Sequence, residues 1–150
     1  MKVFLVFLAM LLLYMSFMCQ WSDMDRYARA QRALKELAEE IACGAALLLD
    51  EDSYSGGLLC IDKWAADHLA CDLLQRASVA PPFEAPGVLS ARIEIFDDES
   101  GYEEAGERGL LPGCPAVSVE LTYSGREMFR LPFISVTCMQ RTAVYQWEPA

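Results

Sequence analysis

Histidine is nearly missing from this chain: His68 is the one imidazole in 150 residues. Six cysteines are present, Cys19, Cys43, Cys60, Cys71, Cys114 and Cys138, but no two form a CxxC pair. Structural zinc takes four clustered sulfur or nitrogen ligands, so this spread argues against a metal centre. No metal or other cofactor is expected. Glycine-rich phosphate loops and Gly-x-Ser-x-Gly elbows are also missing, which removes two common routes to phosphoryl and acyl chemistry. Basic residues are scarce, 12 against 22 acidic, for a net charge of −10. Nucleic acids are held by basic patches, so they are not expected partners.

What the chain does have is a long apolar run at its start. Residues 3–19 (VFLVFLAMLLLYMSFMC) carry no charge and are interrupted only by Ser16. A helix needs roughly 20 apolar residues to cross a bilayer, with about 17 at the short end. Val3, Phe4, Leu8, Leu12 and Phe17 are then anchor residues, and Trp21 falls where an interfacial aromatic belongs. A cleavable signal ends in small residues one and three before the cut. The stretch Ser16-Phe17-Met18-Cys19-Gln20 offers no such pair, and Met18 before Cys19 does not suit a lipoprotein site. An uncleaved, single-pass anchor is expected. Arg26, Arg29, Arg32 and Lys35 follow the run; the positive-inside rule taken alone would place the remainder in the cytoplasm. The cysteines and the acidic body point the other way, to a C-terminal domain outside the cytoplasm.

No glycine or proline follows the run, and the chain passes directly into a charged helical pattern over residues 23–49. Its apolar positions, Tyr27, Ala30, Leu34, Leu37, Ile41, Ala45 and Leu48, recur at helical spacing. They define a packing face, which an Ala-rich patch (Ala42, Ala45, Ala46) suits to close approach by another helix. Tyr27, Ala30 and Leu34, close to the membrane, are expected to need a neighbouring subunit to cover them. The segment 50–57, ending in Gly56-Gly57, reads as a turn. Asp62 predicts an N-cap for a second helix over 63–76 with Trp64, Ala65, Leu69 and Leu73 facing the rod. Beyond Pro81, Pro82 and Pro86 the period becomes two: residues 89–96 put Leu89, Ala91, Ile93 and Ile95 on one face, and 116–123 put Val117, Val119, Leu121 and Tyr123 on one face. Segments 127–131, 133–139 and 142–147 read as further strand, joined through a turn at Ser124-Gly125. The expected fold class is α+β: a long N-terminal transmembrane and amphipathic helix, then a second helix packed on a C-terminal antiparallel sheet of about four strands. The divisions are a transmembrane segment at 1–19, an amphipathic rod and turn at 20–57, and an α+β head at 58–150.

Three constellations carry chemistry. The loop 97–108 gathers Asp97, Asp98, Glu99, Glu103, Glu104 and Glu107; calcium takes 6–8 oxygens, but the spacing is not that of an EF-hand, and a solvated hairpin tip is the expectation. His68 and Cys71 stand three apart on the second helix, a spacing that permits a thiol–imidazole pair, with no oxyanion-type loop beside them. The chain is therefore not expected to be an enzyme. Cys43 with Cys71, and Cys114 with Cys138, are candidate disulfides outside a reducing compartment; the alternative is that all are reduced, buried and apolar in role.

A membrane helix continued as an amphipathic rod and capped by an antiparallel sheet resembles a type IV pilin. More closely, the chain is similar to the TadE-like pseudopilins of Gram-positive tight-adherence (Tad) pilus clusters. The residues that carry this are Asp25-Arg26-Tyr27-Ala28-Arg29-Ala30, Leu34-Lys35-Glu36-Leu37-Ala38-Glu39-Glu40, Ala45-Ala46-Leu47, the turn Tyr54-Ser55-Gly56-Gly57 and the closing Arg141-Thr142-Ala143-Val144-Tyr145-Gln146-Trp147. The resemblance implies a minor pilin or pseudopilin, without catalysis, inserted in the bacterial cytoplasmic membrane with its C-terminal domain extracytoplasmic, and partnered by other pilin-like subunits or pilus and secretion machinery driven by a separate cytoplasmic ATPase. Two features depart from the pattern. Only Met1 and Lys2 precede the run, where pilins carry a basic leader and peptidase site, and residues 3–18 lack the acidic residue many pilins carry there. Either the protein stays in the membrane as an assembly factor, or a leader lies ahead of the recorded start. A different class of function, a membrane-tethered extracytoplasmic binding or sensor module using the acidic loop or sheet face, is the alternative.

Overall fold

A computed structural model describes the chain except for residues 1, 84–86, 104, 112, 126, 130–134 and 148–150 and the side chain of residue 107. The apolar run and the charged pattern after it form one helix, α1 (Lys2–Ala46). At about 1.5 Å per residue its 45 residues extend roughly 67 Å. No proline or glycine interrupts it before Gly44. Its two halves meet different surroundings. Up to Ser22 the described side chains are exposed, Cys19 alone being half-buried; from Asp23 onward one face is buried.

The predicted turn is in part a helix. Asp50 caps α2 (Glu51–Ser55) by accepting from the Ser53 N–H at 2.9 Å. Four residues from 50 to 53 are acidic or hydroxylic, and they supply the cap that lets one helical turn form before Gly57 takes a positive φ of 84°. The chain then returns to the end of α1: the Asp50 N–H donates to Cys60 and the Asp62 N–H to Leu48, about a bridge between Leu49 and Ile61. Asp62 accepts from the Ala65 N–H at 3.0 Å and starts α3 (Lys63–Val79), as its sequence predicts.

Strands β1 (Val88–Phe96), β2 (Ala116–Ser124) and β3 (Cys138–Gln146) form an antiparallel sheet in the order β1-β2-β3. Among the described residues the sheet has three strands rather than about four. The expected segments 133–139 and 142–147 are one strand in part, because Gln140 and Arg141 pair in register with Thr122 and Leu121 instead of breaking the ladder. Residues 127–129 and 135–137 are not strand, although Gly125 still donates to Thr137 and Met128 to Val136; 130–134 lie outside the described residues.

One sheet face is covered by helix. Val117, Val119, Leu121 and Tyr123 of β2 are buried, with Leu89, Ala91, Ile93 and Ile95 of β1 packed against them. From α1 the core takes Ala30, Leu34, Leu37, Ala38, Ile41, Ala42, Ala45 and Ala46, and from α3 Ala66, Ala70, Leu73, Leu74 and Ala77. The α3 face matches the expected one at Leu69 and Leu73 but not at Trp64, which is 76% exposed; Ala66 and Ala70 take the buried positions. Alanines on both helices bring their backbones close to the sheet and to each other. At Gly44 a Cβ would come within 2.7 Å of Leu69 Cδ2, so that position makes room for α3. A smaller cluster of Phe96, Ala105 and Ala116 holds the 97–115 connection to the other side of the sheet.

Candidate functional site

The first half of α1 is apolar and exposed along its described length. Val3, Phe4, Leu8, Leu12, Phe17 and Trp21 are all exposed, with Phe17 and Trp21 rings 6.3 Å apart. An 18-residue window of this half has no part buried in the fold, and the helix is long and apolar enough to cross a membrane. Leaving such area in water costs about 25 cal/mol per Å². Lipid or other helices relieve that cost.

The packing face of α1 has another destination. Ala30, Leu34, Leu37, Ile41 and Ala45 are buried in the head of the same chain, and so are Ala42 and Ala46. Tyr27 is half-buried and its ring stacks on Phe129 at 5.7 Å. Leu48 lies beyond the helix end and is half-buried. The head therefore covers the residues expected to need a neighbouring subunit. Sequence periodicity marks a buried face but not what buries it.

The acidic loop is tied down at its start, while Asp98, Glu99 and Glu103 stay exposed as expected of a solvated tip. Asp97 is fully buried, and its carboxylate accepts from the backbone N–H of Ile61 at 3.1 Å, Glu99 at 3.2 Å and Ser100 at 2.6 Å. Burial pushes its pKa up, but the hydrogen bonds from Ser100 and Ile61 and the nearby Lys63 charge outweigh that and hold it below the usual carboxylate value. Asp98 accepts from the Leu59 N–H at 2.9 Å and the Tyr102 hydroxyl at 3.0 Å. Burial, then this bond and the Asp97 and Asp98 charges, push the Tyr102 phenol well above its ordinary value. Glu99 faces Lys63 at 3.3 Å. An open cleft of about 550 Å³ remains, lined by Glu94, Phe96, Asp98, Glu99, Ser100 and Glu103 among others. Arg108 ion-pairs with Glu94 and donates to Ser118 at 3.0 Å, which fixes the loop across the outer sheet face. No group of three or more His, Cys, Asp or Glu residues converges to hold a metal among the described residues.

All six cysteines are free thiols. Cys138 pairs in register with Ser124 while Cys114 precedes Ala116, so β2 separates them along its whole length; a disulfide needs Cα atoms within about 7 Å. Cys71 lies two residues past Leu69, about 200° around α3 from the contact with Gly44, and Cys43 is exposed on α1. Neither candidate pair is joined. His68 lies against the ring of Trp64 at 5.5 Å, and both are exposed.

Comparison with family models, with curated proteins and with solved structures finds no match.

Proposed function

We propose that this chain is a single-pass, pilin-like membrane protein, a pseudopilin or minor pilin of a Tad-type pilus or secretion assembly, with its head on the extracytoplasmic side. Its role is mechanical rather than enzymatic. The observation that carries this reading is the continuity of α1, one helix whose first half is apolar and exposed and whose second half is the core of the head. A hinge-free helix passes any displacement of the span directly to the head. That is what a subunit lifted or packed through its membrane helix requires. The partners are the cytoplasmic membrane and other pilin-like helices, which meet the span rather than Ala42, Ala45 and Ala46, since these are already covered.

A membrane-tethered binding module is the second reading, and the acidic cleft beside Glu94 and Glu99 favours it. Photocrosslinking residues placed at Leu8 and Leu12 in cells separate the two. The assembly reading predicts adducts to other helix-anchored chains. Adducts to lipid alone at both positions would contradict assembly and leave the tethered module.

A further inference from the structure

We infer that the head does not stand off the bilayer on a stalk but rests in the headgroup layer, with Trp21, Met24 and Arg26 of α1 and Val88 of β1 as its lipid contacts. The inference rests on reading residues 3–19 as a membrane span.

Two contacts set the head's height along α1. Arg141 donates to Gln31, and the Trp147 indole N–H donates to the Ala46 carbonyl at 3.0 Å. Gln31 to Ala46 is about 22 Å of helix, and Arg141 to Trp147 is about 20 Å of strand. The strand β3 thus runs alongside α1 and in the same direction. Cys138 lies three residues below Arg141, about 10 Å, which corresponds to roughly seven helical residues. The lower end of the sheet, where Val88, Ser124 and Cys138 are in register, is therefore level with about Met24. Burial supports the same height independently. Asp23 is fully enclosed, one residue after exposed Ser22.

Met24 is only about 6 Å above Gln20. Each headgroup layer is about 5–7 Å thick, so the lower end of the sheet falls within it. The side chains there suit that layer. Trp21, Met24 and Val88 are 68%, 50% and 65% exposed, a poor arrangement in water and a good one among acyl glycerols and headgroups. Arg26 is exposed and has no ion-pair partner among the described residues, whereas Arg29 is paired with Asp25. Helical side chains slant toward the N-terminus, which carries the Arg26 guanidinium down toward lipid phosphates. Charge is distributed to match. Between residues 21 and 35 four basic residues outnumber two acidic ones, while from 36 onward 20 acidic face seven basic. At the opposite end of the head acidic groups gather: Asp50, Glu51 and Asp52 follow the end of α1, and Asp97, Asp98 and Glu99 are held against residues 59–63.

The test uses the full chain in vesicles of phosphatidylcholine and phosphatidylglycerol doped with a headgroup-nitroxide phosphatidylcholine, and variants in which Trp64 is replaced by Phe, Trp147 is kept for its bond to Ala46 with its emission subtracted as background, and Trp21 is kept or replaced by Phe. Trp21 reports the span, Val88→Trp the lower edge, and Glu99→Trp the opposite end of the head. The expected result is at least twofold quenching of Trp21 and of Val88→Trp, with Glu99→Trp unchanged. Quenched Trp21 with an unquenched Val88→Trp would overturn the seated head and leave the anchor standing. An unquenched Trp21 would overturn both.

Discussion

At the scale of single residues, Asp97 is the most consequential side chain outside the helices. It is one carboxylate with three backbone donors from two segments, so it joins the loop after β1 to the strand-like segment before α3. Asp97→Ala leaves those N–H groups without their acceptor and is expected to lower stability by about 2–4 kcal/mol in urea unfolding. Its pH dependence follows from the sign of the shift. The folded-state pKa lies below 3.8, so the unfolded chain takes up the proton first as the medium is acidified. Its contribution is complete above about pH 5 and is lost as the pH falls through the folded-state value. Asp97→Asn should therefore unfold with a flatter pH profile between about pH 5 and 3; an unchanged slope would contradict the role given to this group. Tyr102 offers a spectroscopic check. Held protonated by burial and by Asp98, it should stay un-ionised in an ultraviolet titration through the ordinary tyrosine range, and Asp98→Asn should bring it closer to that range. Neither role was legible beforehand. A run of six acids looks like a solvated tip, and only partners some 36 to 39 positions away make Asp97 and Asp98 structural.

At the scale of elements, the helices and strands show where close approach is built in. Tyr123 sits between two glycines: a Cβ at Gly87 would come within 2.3 Å of its ring and one at Gly125 within 2.5 Å of its hydroxyl. Phe83 stacks on the same ring at 5.2 Å, so the tyrosine cannot move aside freely. Gly87→Ala and Gly125→Ala should each cost about 1–3 kcal/mol, seen as lower thermal midpoints. Ala45→Asp places a charge in the core between α1 and the sheet. It should cost about 3 kcal/mol or more and unfold the head. A normal head with a selective loss of assembly would show instead that this face meets another subunit. The elements themselves were largely readable. The period of two in Leu89 to Ile95 and Val117 to Tyr123 is a local signal, as is the Asp62 cap. Readings failed where the deciding contact is distant. Trp64 has the hydrophobicity of a core residue, yet the buried places on α3 go to Ala66 and Ala70, with Leu73 and Leu74 partly buried against the same core. Nothing local to Tyr27 and Leu34 reveals their cover, which comes from residues about 100 positions later, Phe129 against the Tyr27 ring among them.

At the scale of the whole molecule, α1 has two roles that a single substitution can separate. Its second half is the centre of a small α+β head, and its first half contributes nothing to that head. On the proposed membrane reading, changes in the first half should therefore alter location without altering the stability of the head, and changes in the core should do the reverse. Leu11→Asp is the most direct test. A carboxylate near the centre of a span costs about 3 kcal/mol relative to water, against a small gain for leucine, and a run of about 17 residues leaves little to offset it. The measurement is alkaline carbonate extraction of membranes carrying the full chain, wild type beside Leu11→Asp, with thermal unfolding of the head followed in both. The expected result is wild type retained in the pellet, the variant released to the supernatant, and the same unfolding midpoint for the two. Extraction of the wild type, or a lowered midpoint in Leu11→Asp, would contradict a helix that is anchor in one half and core in the other.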